Sequence, residues 1–184
     1  MKNRDWFLLI SFFSILFVYF LTPNEIFNLL PATGGDTGSH FYPLYALFKA
    51  GWPEFRLRVW NPGNLFGEPL LLHYFPGPFI VMSILGTFLP LGLAFNIGTI
   101  LPLFIFPISV FAAFWFANSG WKISLLALAA SLLYVFNESH SMLGGNSNSL
   151  LAGQFAHMYG LCFLFFTLAR LHWELKKKKK YFVS

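Results

Sequence analysis

The chain has 184 residues, of which 57% are hydrophobic, 21% are aromatic and 10% are charged. Soluble domains carry about 25% charged residues, so this composition excludes an ordinary soluble globular protein. The formal net charge is +5, but five of the twelve basic residues form a lysine run at 176–180 beside an apolar segment. Such a run is typical of a membrane-orientation signal. We therefore predict a polytopic membrane protein that binds no nucleic acid.

Five apolar segments occur in chain order, at residues 6–22, 76–90, 93–117, 120–137 and 151–173. Five crossings would place Lys2 and Arg4 on the side opposite to the lysine run, against the positive-inside rule. The 76–90 segment is the shortest and opens with Pro-Gly-Pro, so we predict a helix lying in the membrane interface there. The predicted fold class is all-α, with about four transmembrane helices formed by the other four segments.

This topology predicts a membrane module over residues 1–175 and a basic cytoplasmic tail over residues 176–184. Both termini lie in the cytoplasm in this prediction, and the localisation is a multi-pass protein of the cell membrane. Residues 23–92 then form an external loop far longer than a connector requires. Long structured loops usually carry function.

Asp36 lies in a glycine-rich turn, T-G-G-D-T-G-S-H at residues 33–40, just beyond the first predicted span. In a functional reading, the glycines let a ligand approach the backbone, and the carboxylate accepts a proton or holds a divalent cation. In a structural reading, Asp36 forms an Asx-turn or caps a helix that starts near Phe41. The sequence leaves both open. The glycines oppose a helix here, so we predict that His40 does not share a helix face with Asp36.

Two arginines, Arg56 and Arg58, lie in a Gly- and Pro-punctuated tract at residues 51–69 that reads as successive turns. Arginine can clamp a phosphate through two parallel hydrogen bonds. Pairing with Glu54 and Glu68, or contact with anionic headgroups, explains the same residues equally well.

A second external loop at residues 138–150 leads into the last predicted span. We call residues 138–154 the second loop. Two amides and an imidazole lie where this loop meets the span. Asn146, Gln154 and His157 could line a polar pocket there, although capping and turn formation are the default roles of such residues. The predicted substrate-binding set is therefore His40, Arg56, Arg58, Asn146, Gln154 and His157.

Four ordered strings resemble bacterial membrane proteins labelled "6-pyruvoyl-tetrahydropterin synthase-related". They are G-G-D-T-G-x-H at 34–40, W-N-P…F-G-x-P-L-L at 60–71, F-P-x-P at 75–78 and G-G-N-x-x-S-x-L-A-G-Q-F-A at 144–156. These proteins are similar to the GT-C superfamily of integral-membrane glycosyltransferases. The resemblance extends over nearly the whole chain to about Trp173, and the label implies no pterin chemistry.

The resemblance implies transfer of a sugar from a polyprenyl-phosphate donor to an extracytoplasmic acceptor, with membrane lipids and the donor as partners. Asp36 is the candidate catalytic base, and a divalent cation is a possible cofactor with no ligands assigned. Gln154 stands where the resemblance leads us to expect a glutamate, and an amide cannot act as a carboxylate.

The alternatives differ in class. GT-C proteins commonly carry eight or more spans, so four spans before the lysine run predict a fragment. A non-catalytic membrane scaffold is the alternative that this shortness and Gln154 favour. A transporter of lipid or solute needs ionisable groups inside the spans, and the sequence places none at mid-span.

Overall fold

The structure is a computed structural model that describes residues 18–19, 21, 23–63, 66–72, 74–139 and 144–182. Helices dominate this part of the chain. The elements are α1 (Pro23–Ile26), α2 (Thr37–Ala46), β1 (Val59–Asn61), β2 (Glu68–Leu70), α3 (Pro76–Gly86), α4 (Leu91–Phe116), α5 (Trp121–Val135), α6 (Ser147–Ser149) and α7 (Phe155–Phe182). A π-helical turn at Leu47–Gly51 and a 3₁₀ turn at Trp52–Glu54 extend α2, and a second π-helical turn at Leu150–Gln154 joins α6 to α7.

Two stretches of the described chain are long and apolar enough to cross a bilayer, namely α4 and the continuous helical run Ser147–Lys177. In the most apolar window of the second, only 33% of the residues are buried inside the protein, which fits a helix that faces lipid better than a soluble core helix. Length and composition therefore indicate association with a membrane. The predicted first span at 6–22 lies almost wholly outside the described residues.

The two shorter apolar helices differ from the predicted spans. Helix α5 has 15 residues, about 22 Å of rise, against a hydrocarbon thickness of about 30 Å. The four-span topology therefore stays a prediction. Helix α3 has 11 residues and ends at Gly86. The sequence predicted a helix to residue 90, but a turn separates Gly86 from the next helix.

Helices α4 and α7 run parallel, with α5 antiparallel between them in sequence. Tyr159, Cys162 and Phe165 of α7 contact Gly98, Pro102 and Phe106 of α4 in the same order. Phe111 and Phe106 of α4 contact Trp121 and Tyr134 of α5 in the reverse order. The starts of α4 and α7 consequently lie at one end of the bundle, which we call the loop end. Gly120 and Trp173 line one hollow at the far end.

A proline inside α4 explains one of these contacts. Pro102 has no N–H, so the carbonyl of Gly98, four residues earlier, loses its helical donor. The Tyr159 hydroxyl donates to that carbonyl at 2.7 Å. An unpaired carbonyl in apolar surroundings costs free energy. The Tyr159 hydroxyl therefore supplies the missing donor to Gly98 and links α7 to α4.

Helix α2 crosses the loop end of the bundle. Its first residue, Thr37, bonds Leu151 just before α7, and Phe41 packs edge-on against Phe95 of α4. Further along, Phe48 lies beside Gly86 and Leu91, at the turn between α3 and α4. Both ends of this helix thus meet the starts of the long helices. The sequence predicted a helix-compatible stretch from Phe41, and the helix begins four residues earlier.

A two-stranded hairpin follows α2. Strands β1 and β2 are antiparallel, with Val59 opposite Leu70 and Asn61 opposite Glu68. Val59 packs beside Gly51, where an added Cβ would lie 2.9 Å from Val59 Cγ2. The hairpin is therefore attached to the π-helical turn. The sequence predicted only successive turns here.

The segment before α2 is fixed to α4 by one buried asparagine. The Asn96 side chain donates to the carbonyls of Asn28 and Leu30 and accepts from the Ala32 N–H at 2.7 Å. One turn earlier, a Cβ on Gly92 would lie 2.1 Å from the Leu29 carbonyl oxygen, so only glycine allows this approach. A polar side chain inside an apolar helix therefore positions the entrance to the glycine-rich turn.

We expect Asn96→Leu to destabilise the protein by about 2–4 kcal/mol, because it removes three part-buried hydrogen bonds between this side chain and the backbone of residues 28–32. Hydrogen exchange of a peptide covering residues 28–36 should become faster, and the thermal midpoint in detergent should fall. Ser109→Ala is the matched control, since the buried Ser109 hydroxyl donates only to Phe106 of its own helix. Equal exchange rates in the two variants would contradict the conclusion that Asn96 fixes the 28–32 segment to α4.

Candidate functional site

The glycine-rich turn of the first loop lies directly against the second loop. Gly34 and Gly35 have φ angles of 135° and 50°, values that L side chains rarely adopt. A Cβ on Gly35 would lie 2.5 Å from the Ala152 carbonyl oxygen. The next residue, Asp36, donates its N–H to that same oxygen at 2.9 Å. The glycines are therefore needed for backbone to meet backbone.

Gly153 makes the matching approach from the second loop. Its φ of 110° interrupts the helical geometry inside the π-helical turn, and a Cβ there would lie 2.9 Å from the Cβ of Asp36. The Thr37 hydroxyl donates to the Leu151 carbonyl at 2.6 Å. Two motifs that the sequence singled out separately, more than a hundred residues apart, thus form one contact at the loop end.

The side chain of Asp36 has no capping role. Asp36 occupies the N-cap position of α2, but its carboxylate makes no capping hydrogen bond, and the residue is exposed. The backbone holds the helix start instead, because the Asp36 carbonyl accepts from both the N–H and the hydroxyl of Ser39. The structural reading of Asp36 as a side-chain cap is therefore wrong, and the carboxylate is left available to a ligand.

His40 lies one turn after Asp36 on α2, inside a cage of aromatic rings. Helix α2 runs through Gly38, so the expectation that the glycines prevent a helix here is wrong. The His40 side chain is 7% exposed and contacts four rings, those of Tyr74, Phe75, Phe79 and Phe155.

Burial of the imidazole lowers the pKa of His40, while the charge of Asp36 and a backbone hydrogen bond to Gly153 oppose that shift. Loss of hydration disfavours the imidazolium form. The ring is accordingly neutral near pH 7, and it can both accept and donate one hydrogen bond.

Tyr74 completes the group. Its hydroxyl oxygen lies 3.4 Å from Nδ1 of His40, and it donates to that atom when the imidazole proton is on Nε2. Burial and the nearby Asp36 carboxylate both raise the pKa of Tyr74, so the phenol remains a donor over the physiological range. The same carboxylate acts on Tyr74 and on His40, which indicates that the three side chains form one electrostatic unit.

A cleft of about 440 Å³ opens beside this unit. Its polar lining comes from Ser39, His40, Glu68 and Tyr74, and its apolar lining from Pro43, Pro69, Leu70 and Leu71. Among the described residues that line the cleft, none is a lysine or an arginine. The polar groups present are a carboxylate, a neutral imidazole, a phenol and a hydroxyl, which together suit a neutral ligand rich in hydroxyl groups.

The two arginines lie elsewhere. Arg56 forms an exposed ion pair with Glu54, with 2.9 Å between Nε and Oε2, as one of the sequence alternatives anticipated. Arg58 is exposed and makes no ion pair with a residue that the structure describes. Glu68, the other predicted acidic partner, accepts instead from the Asn61 amide at 3.3 Å. A phosphate contact by Arg56 and Arg58 stays a prediction.

The second-loop candidates have mainly structural contacts. The Asn146 side chain accepts from the Ser149 N–H at 2.8 Å, capping α6, and donates to the Asn137 carbonyl. Gln154 is half-buried beside Gly153, and His157 is exposed next to Gly144. The capping role of Asn146 is confirmed, and a substrate role for these three residues stays a prediction.

Metal binding gains no support from clustering. The described residues contain no group of three or more His, Cys, Asp or Glu side chains placed to hold a metal ion. His40 lies one helical turn after Asp36, and Glu68 is the carboxylate that lines the cleft. A divalent cation that bound here would need ligands from the substrate as well.

Three residues of this region were not among the predicted site residues, namely Tyr74, Glu68 and Asn96. Tyr74 directly precedes the F-P-x-P string, and Glu68 occupies the variable position of F-G-x-P. Asn96 was detectable as the one amide within an apolar span. Each is a single polar residue in the sequence, and a single polar residue does not indicate which groups it contacts in the fold.

We expect Gly153→Ala to destabilise the protein by about 1–3 kcal/mol, because alanine is strained at this φ and its methyl group meets the Asp36 backbone. Thermal unfolding in detergent measures the change. Gly160→Ala is the matched control on α7, where an added Cβ meets nothing within 4 Å and alanine favours the helix. A Gly153→Ala midpoint equal to that of the control would argue against the close contact.

We expect the stability of the protein to fall as pH drops below 6.5. The pKa of His40 is lowered from 6.5 in the folded state, so the unfolded chain binds the proton more readily. The stabilisation is fully present above 6.5 and is lost as pH falls towards the folded pKa. His40→Phe should flatten this acid limb in thermal unfolding between pH 7.5 and 5, whereas the exposed far-end variant His172→Gln should retain it. A limb unchanged in His40→Phe would assign the effect to another group.

No family model, curated protein or solved structure matches this chain.

Proposed function

We propose that this chain is a GT-C-like membrane glycosyltransferase, or the N-terminal module of one, that transfers a sugar from a polyprenyl-phosphate donor to an extracytoplasmic acceptor. The observation that carries the proposal is the Asp36 carboxylate, which is exposed and free of capping duty while its backbone is fixed by the second loop. An exposed carboxylate on a fixed backbone, one helical turn from the cleft residue His40, suits a general base.

The proposed chemistry uses Asp36 as the base. Its carboxylate takes the proton of the acceptor hydroxyl as that oxygen bonds to the anomeric carbon of the donor sugar. The bond from the anomeric carbon to the phosphate oxygen breaks, and the lipid phosphate departs with the electron pair.

The cleft supports a sugar as the ligand. Tyr74 and the neutral His40 supply donor and acceptor positions in the lining of the cleft, and Glu68 supplies further acceptors. Proline and leucine side chains provide the apolar surface for the ring carbons. Two carboxylates, Asp36 and Glu68, repel a phosphate group, so the proposed pose places the sugar in the cleft and the lipid phosphate outside it.

The membrane setting is consistent with this donor. The loop end carries the cleft, and the bundle beneath it contains the two helices that are long and apolar enough to span a bilayer. A polyprenyl chain in that bilayer would present its phosphate at the surface beside the cleft. The proposed reaction therefore takes place at the membrane surface, on the outer side in the predicted topology.

We expect Asp36→Asn to abolish sugar transfer and to leave membrane insertion and thermal stability unchanged, because the side chain makes no capping bond to lose. The measurement is transfer from radiolabelled polyprenyl-phosphate glucose or polyprenyl-phosphate mannose in membranes that contain the full-length protein.

Glu138→Gln is the matched control, since Glu138 is an exposed carboxylate in the second loop. Its transfer rate should equal that of the parent protein. Unchanged transfer in Asp36→Asn would remove Asp36 from the mechanism. Absence of transfer by the parent with every donor tested would favour the non-catalytic scaffold.

A further inference from the structure

The segment around strand β1 exposes several large apolar side chains. Phe55 is 90% exposed, Phe66 95%, Trp60 60% and Leu57 44%. Scattered single exposures are normal on a protein surface, but these four occur within twelve residues. Apolar side chains gathered on one short segment indicate a surface that something covers.

Basic side chains interleave with these apolar ones. Arg56 and Arg58 alternate with Phe55 and Leu57 along the chain, and both arginines are exposed. Lys49 is exposed seven residues before Arg56, and Glu54 is the one acidic residue between 49 and 58. The surface is consequently cationic as well as aromatic, which is complementary to anionic lipid headgroups above an apolar interior.

The local structure holds this segment in a defined shape. Phe55 has a left-handed backbone with a φ of 53°, and the Arg56 N–H bonds the Gly51 carbonyl at 2.9 Å, which closes the turn. In the hairpin, the Trp60 indole lies over Gly67, where an added Cβ would be 2.7 Å from Nε1. Trp60 is therefore fixed in its exposed position by packing.

The position of the segment also fits a bilayer surface. Helix α2 crosses the loop end between the starts of α4 and α7, and the hairpin is attached to its last turns. Two helices that are long and apolar enough to span a bilayer begin at this end, which lies at the bilayer surface in the predicted topology. An aromatic and basic segment at that level matches the interfacial belts in which Trp and long cationic side chains are enriched.

We propose that Phe55, Leu57, Trp60 and Phe66 insert into the outer interface of the bilayer, with Arg56 and Arg58 contacting lipid phosphates. We call these six residues the interfacial patch. The patch is distinct from the cleft, because none of the six is among the described residues that line the cleft. The inference does not require that the protein transfers sugar.

The test measures the immersion depth of spin labels in nanodiscs that contain the full chain. Cys162, the single cysteine, is replaced by alanine, and labels are attached through Phe55→Cys and Phe66→Cys. Collision with oxygen, which concentrates in lipid, is compared with collision with a water-soluble nickel chelate. Leu126→Cys on α5 supplies a lipid-facing reference, and Ser139→Cys in the second loop supplies an aqueous one, since both positions are exposed.

We expect the labels at 55 and 66 to collide with oxygen several-fold more, relative to nickel, than the label at 139. In nanodiscs with 30% phosphatidylglycerol, Arg56→Gln with Arg58→Gln should reduce this preference at 66, and Arg56→Lys with Arg58→Lys should largely restore it. Nickel accessibility at 55 and 66 equal to that at 139 would overturn the insertion. Dipolar broadening between labels of neighbouring copies would assign the patch to self-association, and an unchanged preference in the glutamine variant would remove the phosphate contact.

Discussion

The structure at the loop end depends on two chain segments that meet backbone to backbone. The π-helical turn at Leu150–Gln154 and the φ of Gly153 interrupt the regular hydrogen-bond ladder before α7. The carbonyls of Leu151 and Ala152 accept from Thr37 and Asp36 of the first loop. Near an apolar region a free carbonyl costs several kcal/mol, so the irregular turn and the first loop complete each other.

This contact determines how the acidic side chain is presented. Because Ala152 pairs with the Asp36 N–H and Ser39 pairs with the Asp36 carbonyl, the start of α2 is held by main chain and neighbouring groups. The carboxylate therefore does not make the side-chain hydrogen bond to the first helical turn that an N-cap residue usually makes. The same fixed helix places His40 against Phe155 at the start of α7, so one contact orients both the exposed acid and the buried imidazole.

The sequence predicted part of this arrangement, and physical reasons explain the rest. The glycines at 34 and 35 predicted a backbone that a ligand could approach closely, and in the structure the second loop makes that close approach instead. The matching role of Gly153 was not predicted. The contact between the two loops was not predictable, because spacing of more than a hundred residues carries no local signal of partnership. Helix α2 was misjudged at Gly38, where tertiary contacts outweigh a propensity penalty of about 1 kcal/mol. The hairpin was missed because Pro69 suggests a turn, yet a proline is tolerated in a two-stranded edge.

The distribution of charge links the cleft to the interfacial patch. Glu68 lines the cleft and Asp36 lies one helical turn before the lining residue His40, whereas Arg56 and Arg58 belong to the interfacial patch. A lipid-linked sugar has the complementary order, since its sugar is neutral, its phosphate is anionic and its chain is apolar. If the patch fixes the height of the loop end at the headgroup level, a phosphate in that layer meets the arginines while the attached sugar reaches the carboxylates. In the proposed function, the membrane surface would then form part of the donor site, and the arginines would hold the donor phosphate without a buried cation.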